Sequence, residues 1–113
     1  YGNSNFVVTG ESGIIFTSSD GTTWTKRTSD VNAWFHGVTY GNSTFVIVTD
    51  SAYVLTSSNG TTWDDSNKGS SMTLWEVTYG NNIFVAVGPS GILTSSNGTF
   101  LEYLNFFAGF GRY

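Results

Sequence analysis

The sequence predicts an all-β fold built from about three four-stranded antiparallel units that follow one another along the 113-residue chain. The first observation is a repeat: near-copies of one segment begin at Tyr1, Tyr40 and Tyr79, 39 residues apart each time. The second is that every copy contains short runs of Val, Ile, Phe and Tyr, which are typical of strands. The third is that Gly, Asn, Asp and Ser separate these runs, as they do in tight turns.

The length of the repeat indicates the architecture. Periods of about 20 to 50 residues are typical of solenoids and propellers. Helical repeats are excluded, because no segment carries apolar residues at helical spacing over three turns. A 39-residue unit of four short strands matches one blade of a β-propeller. A parallel β-helix is the weaker alternative, since its rungs are shorter and it does not use repeated two-residue hairpins.

The apolar pattern within a strand supports stacked blades. Side chains alternate between the two faces of a strand, so Phe45 and Ile47 point one way while Val46 and Val48 point the other. Both faces are therefore apolar. A sheet with one solvated face would alternate apolar with polar residues, whereas a blade between two neighbouring blades buries both faces.

Counting the strands gives the organisation of the chain. With the four strands of a blade named A to D, the first copy lacks most of strand A, and the predicted order is BCD-ABCD-ABCD-A. The blades are predicted at about 1–33, 34–72 and 73–105. The tail FFAGFGRY, 106–113, partly matches WFHGVTY at 34–40, and we predict that it is the closing A strand of the first blade.

Each copy also carries a turn motif: SSDGTTW at 18–24, SSNGTTW at 57–63 and SSNGT at 95–99. Asp-Gly and Asn-Gly pairs tolerate the positive φ of a type I′ hairpin turn, which we expect at these places. The short side chain of Asp20 can accept hydrogen bonds from N–H groups of its own turn, and Gly21 takes the positive φ.

Preceded by YGNxxFV, these motifs resemble the BNR or Asp-box repeats of sialidase-like β-propellers, which occur in secreted and cell-surface proteins. The resemblance covers nearly the whole chain. It implies a structural turn between the third and fourth strands of each blade, and a location outside the cell or at its surface. The turn residues that it implies are Asp20, Gly21, Trp24, Asn59, Gly60, Trp63, Asn97 and Gly98. The chain departs from the family in placing Gly directly after Asp, in using Asn twice, and in having Leu101 where the first two copies have Trp.

Composition and residue counts exclude several function classes. Four basic against eight acidic residues give a net charge of −4 with no basic run, which excludes a nucleic-acid footprint. No apolar run approaches the roughly 18 residues of a membrane-spanning helix, so membrane insertion is not expected. Cysteine is absent and His36 is the only histidine, so no metal and no cofactor are predicted.

Enzymatic activity is not predicted either. The carboxylate-binding cluster of sialidases needs three arginines, and the chain has only Arg27 and Arg112. Glycoside hydrolysis needs two carboxyl groups facing one cleft, whereas Glu11 and Asp50 occupy equivalent turns of separate blades. No catalytic residue is therefore assigned.

The predicted function is that of a non-catalytic interaction or scaffold module that associates with itself. Three blades do not close a propeller, which typically needs about 4 to 8. An open array leaves an apolar blade face and strand edges unpaired, and these invite association. Two copies are expected to form a six-bladed ring with strand exchange, or copies to add head to tail into an open filament. An equally weighted alternative is that the chain is a piece of a longer propeller protein or of a sialidase-like enzyme.

A lectin-like propeller that binds glycans is a further alternative. Trp34, Trp75 and Tyr53 lie outside the turn consensus, and Glu76 is a polar neighbour of Trp75. Aromatic faces beside polar side chains commonly bind sugars. The competing interpretation is that aromatic side chains, at 17% of the chain, fill the space between blades.

Three Asn-X-Ser/Thr sequons begin at Asn42, Asn59 and Asn97. In a secreted eukaryotic protein each would be an N-glycosylation site on an exposed turn. The turn repeat itself generates the last two, so in a bacterial chain they carry no such meaning.

Overall fold

The computed structural model describes residues 1–51, 53–67, 73–89 and 91–98. These residues form strands β1 (Phe6–Thr9), β2 (Ile15–Ser18), β3 (Thr25–Arg27), β4 (Phe35–Gly41), β5 (Thr44–Thr49), β6 (Val54–Ser57), β7 (Asp64–Asn67), β8 (Glu76–Gly80), β9 (Ile83–Gly88) and β10 (Gly91–Ser95). A short 3-10 turn, Glu11–Gly13, joins β1 to β2. The predicted last strand of the third blade and the predicted closing strand at 106–113 lie outside the described residues.

Consecutive strands pair antiparallel and form three sheets, with the orders β1-β2-β3, β4-β5-β6-β7 and β8-β9-β10. We call these sheets the first, second and third blade. Within the described residues the first blade contains strands B to D, the second A to D, and the third A to C. The predicted all-β fold class of antiparallel blades is confirmed.

The A and B strands of the second and third blades, and the equivalent segment before β1, are joined by tight turns. In each turn two consecutive residues have positive φ, which is the geometry of a type I′ turn. The pairs are Asn3–Ser4 (47° and 61°), Asn42–Ser43 (49° and 57°) and Asn81–Asn82 (50° and 65°). The expectation that the type I′ turns lie at the Asp-Gly and Asn-Gly pairs was wrong. Only the glycine of those pairs has positive φ, because the Asp or Asn side chain organises a wider turn there.

Each blade has two faces, which we name by strand B. The front face carries the Phe of this strand (Phe6, Phe45 or Phe84), and the back face carries the residue after it (Val7, Val46 or Val85). The back faces of the first and second blades pack on the front faces of the second and third blades, and we call each of these contacts a joint.

Two hydrophobic clusters fill the joints. The cluster between the first and second blades contains Val7, Ile15, Val31, Ala33, Phe35, Phe45, Ile47 and Leu55. The cluster between the second and third blades contains Val46, Val48, Val54, Leu74, Val77, Phe84, Ala86 and Leu93. The second blade thus buries both faces, as its alternating apolar pattern predicts. Each fully buried Phe, Leu, Ile or Val contributes about 1.5–3 kcal/mol relative to exposure.

Polar groups make the same bonds at both joints. The Asn3 side-chain amide donates to the Ser58 carbonyl (3.3 Å), and the equivalent Asn42 donates to the Ser96 carbonyl (3.5 Å). In both cases the donor belongs to the A-to-B turn of one blade and the acceptor to the C-to-D turn of the next.

Backbone bonds repeat as well. The Phe35 N–H donates to the Gly10 carbonyl, and the Leu74 N–H donates to the Thr49 carbonyl, each at 3.0 Å. Both bonds connect the segment that leads into strand A with the end of strand B in the preceding blade.

Two glycines accommodate aromatic rings at the joints. A Cβ at Gly2 would overlap the ring of Tyr40, and a Cβ at Gly41 would overlap the ring of Tyr79. Each Tyr also lies against the Phe of its own blade: the ring centroids of Tyr40 and Phe45 are 4.6 Å apart. The YGN sequence is therefore a docking element, in which the Tyr contacts the preceding blade and the Gly receives the Tyr of the following one.

Candidate functional site

The turn at 18–24 is organised by two side chains. Asp20 Oδ1 accepts hydrogen bonds from the main-chain N–H groups of Thr22 and Thr23, both at 2.8 Å. Ser18 Oγ accepts from the N–H groups of Asp20 (3.2 Å) and Gly21 (2.7 Å), and donates to Asp20 Oδ1 (3.0 Å). Gly21 takes a φ of 78°, which favours glycine.

The second turn has the same bonds with an amide in place of the carboxylate. Asn59 Oδ1 accepts from the N–H groups of Thr61 (2.8 Å) and Thr62 (2.9 Å). Ser57 Oγ accepts from the Gly60 N–H (2.8 Å) and donates to Asn59 Oδ1 (3.1 Å). An acceptor oxygen, rather than a negative charge, is therefore what this turn requires.

The third turn repeats the serine contacts. Ser95 Oγ accepts from the Gly98 N–H (2.9 Å) and donates to Asn97 Oδ1 (3.0 Å). This role of the serine two residues before the Asp or Asn was not predicted from the sequence. The signal was available, because Ser18, Ser57 and Ser95 begin the Ser-Ser pair of every copy.

The carboxyl of Asp20 has a pKa below its ordinary value of 3.8. The main-chain N–H groups of Thr23 and Thr22 are the largest causes, followed by the Ser18 hydroxyl, since each bond stabilises the ionised form.

The two tryptophans of the turn motif differ in their surroundings. Trp63 is half-buried beside the cluster between the first and second blades, and its indole N–H donates to the Gly60 carbonyl at 3.0 Å. Trp24 is more exposed and lies 6.5 Å from the ring of Phe6. The difference arises because Trp63 lies beside a joint, whereas Trp24 lies on the front face of the first blade.

The residues predicted to bind a ligand do not form one group. Trp34 and Trp75 immediately precede β4 and β8, the inner strands of neighbouring blades, and both are half-exposed. The ring of Trp34 stacks on that of His36, with centroids 5.2 Å apart and planes 17° apart. Tyr53 instead packs against the cluster between the first and second blades.

The carboxylate of Glu76 lies close to the inner strand of the second blade. A Cβ at Gly37 would lie 2.6 Å from Glu76 Oε1, so the glycine makes room for this side chain. Glu76 Oε1 also accepts from the Val77 N–H at 3.2 Å. Asp50, on the neighbouring B-to-C turn, accepts from the Trp34 N–H at 3.2 Å.

Two open clefts lie beside the turns. One, of about 600 Å³, lies between the second and third blades and is lined by Asn59, Thr62, Trp63, Asp64 and Asn97 among others. The other, of about 490 Å³, lies beside the first turn and includes Asp20 and Arg27.

The sequon asparagines are exposed, but their side chains are engaged in the fold. The Asn42 amide nitrogen, to which a glycan would be attached, donates across the joint. The oxygens of Asn59 and Asn97 accept bonds within their turns.

The front face of the first blade is apolar and exposed. Phe6 and Val8 are 40% and 46% exposed, whereas the equivalent Phe45 and Ile47 of the second blade are 1% and 0% exposed. No other sheet of the described residues covers the front face of the first blade, which leaves both of these side chains in contact with solvent.

The back face of the third blade is exposed in the same way. Ile83, Val87 and Ile92 are exposed on it, whereas Val48 and Val54, the second-blade equivalents of Val87 and Ile92, are buried. The described part of the chain therefore ends in two different apolar faces, one front and one back.

Within the described ranges, no three His, Cys, Asp or Glu side chains group together as a metal site would require. Over the same residues, no helix has the length and apolar character needed to cross a membrane.

Comparison with solved structures supports the propeller fold. A structure of YCF48 bound to a D1 peptide matches 88% of this chain with a TM-score of 0.70 and 16% identity. The structure of YCF48 from Cyanidioschyzon merolae matches 97% of the chain with a TM-score of 0.66 and 22% identity. The chain spans 37% of the length of each of these proteins. No family model matches the sequence, and no curated protein sequence matches it significantly.

Proposed function

We propose that the chain is a non-catalytic, propeller-type interaction module that associates with other copies of itself through its two outer blade faces. The observation that supports this most directly is the contrast between equivalent residues. Side chains that are buried in the second blade have exposed counterparts on the first and third blades. Contiguous exposed apolar surface of this kind is typical of protein interaction sites.

The comparisons are compatible with a partner-binding module. One matched YCF48 structure contains a bound D1 peptide, so a propeller with similar blades can serve as a protein-binding platform. The turn motif supports a relationship to the Asp-box repeats, and with it a location outside the cell or at its surface.

Sedimentation of the 113-residue chain over a wide range of protein concentration tests self-association. We expect species heavier than the 12.2 kDa monomer whose share increases with concentration. A monodisperse monomer at every concentration would reject the proposal. It would favour the alternative in which further blades of a longer polypeptide cover the two faces.

Carbohydrate binding is the second candidate, and the cleft between the second and third blades favours it. This cleft combines an aromatic side chain, Trp63, with the carboxylate of Asp64 and the amides of Asn59 and Asn97. Such a combination is common in sugar sites.

A glycan array tests this second candidate. Asp64→Ala should abolish binding if the cleft is the site, whereas Trp75→Ala should abolish it if the exposed tryptophan before β8 is the site. Asp65→Ala is the matched control, since Asp65 does not line the cleft. The absence of binding to any glycan would reject the lectin function.

A further inference from the structure

We infer that copies of the chain associate head to tail, with the back face of the third blade packed on the front face of the first blade of a second copy, in the register of the internal joints. This inference rests on the self-association proposed above. It adds which face meets which and which residues come together.

The exposed glycine of the third blade is the first indication. Gly2 and Gly41 are buried under the rings of Tyr40 and Tyr79. Gly80, at the same place in the repeat, is exposed, and no atom of the described residues lies within 4 Å of its Cβ position. The site that receives a tyrosine at both internal joints therefore holds no tyrosine of the described residues at Gly80.

The matching tyrosine is present on the opposite face. Tyr1 is 71% exposed, yet its ring already has the orientation found at the joints. Its centroid is 4.7 Å from that of Phe6 with an interplanar angle of 57°, against 4.6 Å and 57° for Tyr40 and Phe45. The front face of the first blade is thus preformed to place Tyr1 over Gly80 of a second copy.

The polar groups correspond in the same way. Asn81 is exposed and occupies the position of Asn3 and Asn42, whose amides donate across the internal joints. Ser19 is exposed and occupies the position of the two acceptors, Ser58 and Ser96. Head-to-tail packing would allow the Asn81 amide to donate to the Ser19 carbonyl.

The turn glycine completes the match. A Cβ at Gly98 would lie 3.2 Å from Val46 and 3.5 Å from Thr56 of the preceding blade. Among the described residues, a Cβ at Gly21 would meet only Phe6 of its own blade, at 3.7 Å. Val85 and Thr94, the counterparts of Val46 and Thr56, line the back face of the third blade. Front and back faces are complementary to each other and not to themselves, so the contact is heterologous.

Two variants, each blocking one face, test this arrangement. Gly80→Leu fills the tyrosine site at Gly80, and it should leave the monomer intact because no described atom crowds the position and its φ is not positive. Val8→Arg places a charge on the exposed front face. Gly10→Thr is the control, since it is equally unobstructed and the repeat has Thr49 at that position.

Each blocked variant alone should associate about ten- to a hundredfold more weakly than the unmodified chain, because overpacking or an unpaired charge at a joint costs that much. Mixed in equal amounts, Gly80→Leu and Val8→Arg should form a one-to-one complex of about 24 kDa, twice the 12.2 kDa of one chain, through the one intact front and one intact back face. Gly10→Thr should associate like the unmodified chain.

Other results would overturn the inference. If the unmodified chain associates but Gly80→Leu associates equally well by itself, the copies meet front to front. If the mixture forms no complex, the register is wrong although self-association stands. If the unmodified chain is a monomer, the proposed function fails as well.

Discussion

The three phenylalanines of strand B provide a matched test of the joints. Phe45 is 1% exposed and its ring centroid lies 4.6 Å from that of Tyr40 and 6.2 Å from that of Trp63. Phe6 has the equivalent neighbours within its own blade, namely Tyr1 and Trp24, but is 40% exposed. Substitution by alanine therefore removes similar contacts inside the blade at both positions and joint contacts at Phe45 alone.

The expected magnitudes follow from burial. Phe45→Ala should lower the free energy of unfolding by about 3–5 kcal/mol, the usual cost of removing a buried Phe. Phe6→Ala should cost about 1–2 kcal/mol, because part of the ring is already in water. Phe84→Ala should resemble Phe45→Ala, since Phe84 is fully buried in the other joint.

Urea unfolding followed by tryptophan fluorescence measures these differences, at a protein concentration low enough to keep the chain monomeric. Where Phe45→Ala does not fold, Phe45→Leu, with an expected loss of about 1–2 kcal/mol, preserves the comparison. Equal losses for Phe6→Ala and Phe45→Ala in the monomer would refute the reasoning, because they would mean that the front face of the first blade is covered.

Three further predictions concern the turns and the joint glycines. Asp20→Asn should make stability depend less on pH in the acidic range. Because the pKa of Asp20 is lowered in the folded chain, its carboxylate contributes stability at pH values above 3.8, and this contribution is lost as the pH falls through the folded-state pKa. Thermal unfolding measured between acidic and neutral pH tests this. Gly41→Ala should destabilise by about 1–3 kcal/mol in urea unfolding, because its Cβ overlaps the ring of Tyr79, whereas Gly80→Ala should change stability little; equal effects would contradict the joint geometry. Ser57→Ala should cost about 1–2 kcal/mol in the same assay, because the Gly60 N–H loses its acceptor; an unchanged midpoint would show that water replaces the hydroxyl.

The repeat of 39 residues was sufficient to predict the blades, because each copy contains the complete local information for its strands and turns. The hairpin geometry could not be assigned in the same way. Asn-Ser and Asn-Gly pairs both tolerate positive φ, so the sequence does not tell which pair forms the type I′ turn. At 59–60 the hydrogen bonds of Asn59 and Ser57 with the main chain stabilise a wider turn instead.

The exposure of individual residues could not be predicted from the local sequence. The three YGN segments are identical, yet Gly41 is buried and Gly80 is exposed. The same holds for Tyr53 and Trp34, two aromatic residues outside the turn motif, one packed against the core and the other half-exposed. Whether a face is covered depends on the place of a blade in the array, which its own residues do not encode.

The unequal number of joints per blade also determines how the described part of the chain opens. The second blade has a joint on both faces, whereas the first and third blades each have a joint on one face. In a linear array of nearest-neighbour contacts, an outer blade can therefore separate while the central blade stays folded. Amide hydrogens of β5, whose residues Phe45 to Val48 are 0–1% exposed, would then exchange with solvent only in the rarest openings. The amides of this central strand are therefore a standard against which exchange in the outer blades can be compared. A partner that covers an outer face would slow amide hydrogen exchange in that blade first.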